Sequence, residues 1–169
     1  TTVSGGASAI DGLSDAKLGG TNFAGSMLLG HQTTGTLNNA FYNVGVGVGA
    51  FNALTSGDYN TAIGYNSLSS NTTGSYNTTN GFLALDANIE GSKNTAIGNY
   101  ALLYNTTGDY NTANGYDALY SNTIGSNNTA NGRNALYSNT TGSNNTALGY
   151  LANVSAGNLT NATALGNGA

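Results

Sequence analysis

The chain has 169 residues, of which only 6% are charged, 26 are glycine and none is proline, cysteine or tryptophan. A formal net charge of -4, with just three scattered basic residues (Lys17, Lys93 and Arg133), disfavours nucleic-acid binding by phosphate neutralisation, and no apolar run is long enough for membrane insertion. An aromatic content of 9% without proline points away from disorder and towards stacked β-structure, where proline would remove a ladder donor.

In chain order, residues 1–25 read as an N-terminal lead-in or cap, and residues 26–169 as a repeat shaft. From Ser26 a 17-residue period runs without insertion. Its full units begin at Asn60, Asn77, Asn94, Asn111, Asn128 and Asn145, and the register extends back through Asn43 and forward to Gly166. One glycine column holds Gly30, Gly47, Gly64, Gly81, Gly98, Gly115, Gly132, Gly149 and Gly166, and the residues from Gly47 to Gly149 are expected at structural turns. A second column, Gly57, Gly74, Gly91, Gly108, Gly125 and Gly142, follows ten residues after the first in each unit. Glycine at this frequency breaks any helix of normal length. Two turn signals per unit, separating two short stretches, predict a coil of two strands and two turns. The fold class expected is all-β: a parallel β-solenoid, or β-roll, with 17-residue coils. A coil this thin buries little by itself, so a homotrimer is expected.

Stacked coils place equivalent side chains above one another. Thr61, Thr78, Thr95, Thr112, Thr129 and Thr146 form one column, the leading asparagines another, and both are expected to bond along the rod. Strand alternation puts Ala62, Ala96, Ala113, Ala130 and Ala147 opposite the threonines. With Phe51, Leu68, Leu85, Leu102, Leu119 and Leu136 they make the expected interior. Before the first glycine, Ile63, Ile97, Leu148 and Leu165 alternate with Asn80, Asn114 and Asn131. Asn-Gly there reads as left-handed turn chemistry in preference to a polar ladder on a trimer axis.

Tyrosine recurs before each new unit (Tyr42, Tyr59, Tyr76, Tyr110) and again after the first glycine or near the leucine column. Packing between coils or subunits is the favoured reading. The competing one is surface recognition of sugars, for which Tyr116, Tyr120 and Tyr137 are the candidates. No catalytic, cofactor or metal site is expected. His31 lacks a nucleophile partner, and the seven acids form no recurring column. Asn-x-Thr/Ser triplets at Asn71, Asn105, Asn139, Asn153 and Asn158 read as a product of composition.

The motif N-T-A-[I/L]-G-x-x-A-L, as at Asn94–Leu102, with TTG between units, resembles the repeat regions of bacteriophage tail fibres and related bacterial surface proteins. It is also similar to the heads of trimeric autotransporter adhesins. The resemblance covers residues 26–169. It implies a trimeric fibre segment that supports attachment to host-surface glycans or proteins, located extracellularly or on a virion surface. Ala164–Ala169 looks like the junction that precedes an intramolecular chaperone of the endosialidase type. An extracellular self-assembling filament or bacterial adhesin head is the alternative, and ice binding by the threonine rows is a third reading ranked below both.

Overall fold

The computed structural model describes residues 16–18, 24–30 and 37–166. His31, Asp11 and Asp15 lie outside the described residues, as does most of the expected lead-in. Among the described residues, ten strands of three residues each form a single sheet in sequence order. The first, β1 (Ala16–Leu18), pairs antiparallel to β2 (Met27–Leu29). From β2 onward every step is parallel and 17 residues long, through β3 (Val44–Val46), β4 (Thr61–Ile63) and β5 (Thr78–Asn80) to β6 (Thr95–Ile97). The series continues in β7 (Thr112–Asn114), β8 (Thr129–Asn131), β9 (Thr146–Leu148) and β10 (Thr163–Leu165). The chain is therefore an all-β parallel β-solenoid with 17-residue coils. At ~4.7 Å per coil, the span from β2 to β10 is about 38 Å.

Each coil holds one strand, not two. The Ala-Leu stretch is a succession of turns, and its amides reach the neighbouring coil: Leu68 N–H donates to Ala84 O at 3.1 Å and Ser70 N–H to Asp86 O at 3.0 Å. The cause lies in the backbone. Phe51, Leu68, Leu85, Leu102, Leu119 and Leu136 all take left-handed φ, between 51° and 58°. A branched side chain there costs about 1–2 kcal/mol, and burying the leucine returns about 1.5–3 kcal/mol. Burial wins, because these side chains are fully enclosed.

The interior contains the expected Ala and Leu columns and a second alanine column at Ala84, Ala101, Ala118, Ala135 and Ala152. It also contains twelve fully buried asparagines. The leading Asn of each coil accepts at Oδ1 the main-chain N–H of its counterpart one coil on: Asn77 N–H to Asn60 Oδ1, Asn94 N–H to Asn77 Oδ1 and Asn111 N–H to Asn94 Oδ1, each at 2.9 Å. A second column, Asn71, Asn88, Asn105, Asn122 and Asn139, bonds side chain to side chain at 2.7–2.9 Å. Both columns converge on one acceptor. Gly108 O receives Asn94 Nδ2 at 2.8 Å and Asn105 Nδ2 at 3.0 Å, which straps the coil across its width. Buried amides demand such pairing. The same geometry removes the triplets at Asn71, Asn105 and Asn139 as glycan acceptors in the folded chain, since their amide nitrogens are buried and donating.

Three further expectations change. Hydroxyl bonds along the rod run through Thr55, Thr72, Thr106, Thr123 and Thr140, each donating to the carbonyl one coil on at 2.9–3.0 Å, and not through the Thr61 column. Asn80, Asn114 and Asn131 end strands with exposed side chains; the positive φ belongs to the following glycines, such as Gly115 at 145°. The second glycine column has no left-handed requirement at all. Its reason is crowding: a Cβ on Gly108 would sit 2.3 Å from Gly125 O and 2.4 Å from Asn105 Oδ1.

The repeat also tolerates matched exceptions. Ser67 replaces an interior Ala, Thr79 replaces another one coil later, and their buried hydroxyls bond to each other. Thr79→Ala alone should cost about 1–2 kcal/mol by orphaning Ser67. Ser67→Ala with Thr79→Ala should recover most of that loss, as a double-mutant cycle on thermal melts would show.

Candidate functional site

Columns that vary from coil to coil point outward, and the aromatics lie on them. Tyr42, Tyr59 and Tyr76 stack with ring centroids 4.9 Å apart. Lys93 then takes the column position and its Nζ lies 4.6 Å from the Tyr110 ring. All five residues have φ between 56° and 61°, so the turn that precedes each strand fixes the spacing of the rings. Here packing between coils describes the tyrosines well.

A different arrangement occurs where several outward columns meet. Tyr116 follows the first glycine of its coil, Tyr100 and Asp117 share the next column at φ 60° and 55°, and Tyr120 and Tyr137 share the column after the leucines. These five side chains line one open bay of about 290 Å³. The structure thus brings together the three sequence candidates Tyr116, Tyr120 and Tyr137. It adds Tyr100 and Asp117; a search for recurring acids passes over Asp117, because no other described coil carries an acid in that column.

The bay is built from crossed and stacked rings. Tyr100 meets Tyr116 edge-on at 5.8 Å and 86°, and Tyr120 at 6.5 Å and 69°. Tyr120 and Tyr137 stack at 5.0 Å and 9°, and Tyr104 abuts Tyr120 at 5.1 Å and 89°. Crossed pairs of this kind fix ring orientation through the aromatic quadrupole. One coil above Tyr116, the Arg133 guanidinium sits between two rings, 5.8 Å from Tyr116 and 5.5 Å from Tyr150.

Electrostatics single out two groups. A hydrogen bond with Tyr104 and partial burial push the Tyr120 hydroxyl up to about 12, so it remains a donor. Desolvation raises the Asp117 carboxyl, and Arg133 offsets part of that rise. Its Oδ1 is enclosed and accepts no hydrogen bond among the described residues. Asp86, half-buried and bonded to Ser69, is likewise raised by desolvation, which the bond to Ser69 partly offsets.

These shifts set a pH dependence. A carboxyl whose folded pKa lies above its unfolded value binds protons more readily in the folded state. Stability from Asp86 and Asp117 is then fully present below the ordinary carboxyl range and is lost as pH rises through their raised values. The melting temperature at pH 4 should therefore be no lower than at pH 7; calorimetry at the two values checks this, and a fall of several degrees at pH 4 would contradict it.

No family model matches the chain, and searches among curated proteins and solved structures likewise return no match.

Proposed function

We propose that the chain is a structural fibre segment, of the kind found in phage tail fibres or similar surface appendages, that works as a homotrimer outside the cell or on a virion and supports attachment to a host surface. The observation that carries this reading is the division of labour between columns. Interior columns repeat almost unchanged and satisfy their own polar groups coil by coil, so length follows from repeat number, as in other solenoids. Several outward columns vary and are free to carry recognition.

The strand face supports the trimer. It presents the Thr61 row beside the row of Ile63, Asn80, Ile97, Asn114, Asn131, Leu148 and Leu165, and four of those residues are exposed apolar side chains. Three copies with this face turned inward would bury them. Light scattering on the purified chain should give three times the 16.9 kDa protomer mass, and Ile97→Lys should lower it. A monomer at micromolar concentration would refute the trimer.

A further inference from the structure

We infer that the bay lined by Tyr100, Tyr116, Asp117, Tyr120 and Tyr137 binds a single neutral sugar ring, a pyranose of an uncharged glycan. The inference deepens the attachment role proposed above by naming its site and ligand class. It starts from the departures from the repeat. In the Tyr100 column the other described coils carry Gly49, Asn66, Leu83, Asn134 and Leu151; in the Tyr120 column they carry Asn52, Ser69, Asp86, Leu103 and Val154. Aromatic substitutions in both columns, with Tyr116 beside them, coincide on adjacent coils at this bay.

Three properties of the bay define its ligand. The Asp117 carboxyl group lies in the wall of the bay, and a carboxylate oxygen is a strong acceptor for a hydroxyl. The tyrosine rings offer apolar surface tipped with hydroxyls, which suits a ring with C–H faces and hydroxyl edges. Charge then removes the alternatives. Arg133 already lies over the Tyr116 ring and offsets Asp117, so a second cation would compete with it. An anion would meet the Asp117 carboxylate itself. A hydroxyl-rich, uncharged ligand is the remaining match, and a bay of about 290 Å³ suits one ring in place of a long chain.

Saturation-transfer NMR tests this with the purified protein and a set of probes: methyl glycosides of glucose, galactose, mannose and N-acetylglucosamine, with choline and glucuronate as charged comparators. At least one neutral glycoside should receive saturation. Its affinity should fall at least fivefold in Tyr137→Leu, a side chain that the same column already carries at Leu103. It should fall about threefold in Asp117→Asn, since Asn66 and Asn134 occupy that column at the same left-handed φ. Tyr65→Asn, remote from the bay and matched by Asn99 in its column, should change nothing, and thermal melts should show all three variants folded. Saturation of no neutral glycoside, a response confined to choline or glucuronate, or equal binding by wild type and the bay variants would each overturn the inference. A trimer without glycoside binding would remove the site and leave the shaft standing; a glycoside-binding monomer would do the reverse.

Discussion

Gly108→Ala should cost about 3 kcal/mol and split the melting transition of the solenoid. The added Cβ meets Gly125 O at 2.3 Å and Asn105 Oδ1 at 2.4 Å, and neither can retreat. The first is backbone of the next coil, and the second is held by Asn122 Nδ2 at 2.8 Å. Relief therefore requires coils to separate. Because each coil contacts only its neighbours, a central lesion should uncouple the flanking halves and leave two transitions where the wild type shows one. Thr107→Ala, at the exposed adjacent position, should stay within about 0.5 kcal/mol. Calorimetry on the two variants makes the comparison, and equal melting temperatures would show that the coils are not closely stacked at this column.

Asn105→Ala comes next in size, at about 2–4 kcal/mol. The side chain makes three bonds: its Nδ2 donates to Asn88 Oδ1 at 2.9 Å and to Gly108 O at 3.0 Å, while its Oδ1 accepts from Asn122 Nδ2. Truncation leaves Asn88 Oδ1 with no donor in the interior, whereas Gly108 O keeps Asn94 and Asn122 Nδ2 keeps Gly125 O. Asn105→Asp separates hydrogen bonding from volume. It preserves shape, yet at pH 7 it turns a buried oxygen towards Asn88 Oδ1 and Gly108 O where a donor stood. The aspartate should therefore be less stable than the alanine by urea denaturation. The opposite order would mean that packing, and not the amide ladder, holds the column.

These two positions also show how far the sequence could be read. The period alone placed Gly108 in a column and Leu102 inside, because a fixed 17-residue register forces stacking whatever the local backbone does. It did not reveal why Gly108 is glycine. A turn glycine and one excluded by a neighbouring carbonyl look identical in sequence, and only the contact distance separates them. Asn105 was hidden by chemistry. Asparagine is ordinarily a surface residue, so its recurrence before Thr-Thr-Gly read as composition; the ladder that lets it be buried exists only once coils stack. Leu102 hid a left-handed turn, because leucine favours neither turns nor positive φ, and so a second strand was expected where there is none. In the candidate bay, Tyr116, Tyr120 and Tyr137 could be picked out as aromatics near the turns. Tyr100 and Asp117 could not be joined to them, since the bay combines columns from three different points of the coil, and their lateral separation depends on how the turns fold.

A self-satisfied asparagine interior locks every coil into one rod on which outward columns can be varied. Hydrogen exchange of the asparagine side-chain amides, followed by NMR, reads that lock residue by residue. The twelve buried residues, from Asn43 to Asn145, should retain protected Nδ2 protons long after exposed ones away from the strand face, such as Asn127 and Asn144, have exchanged, and the protection should recur every 17 residues. Rapid exchange at both Asn71–Asn139 and the leading column, with protection confined to the backbone of the three-residue strands, would mean that the asparagine ladders do not hold the rod together.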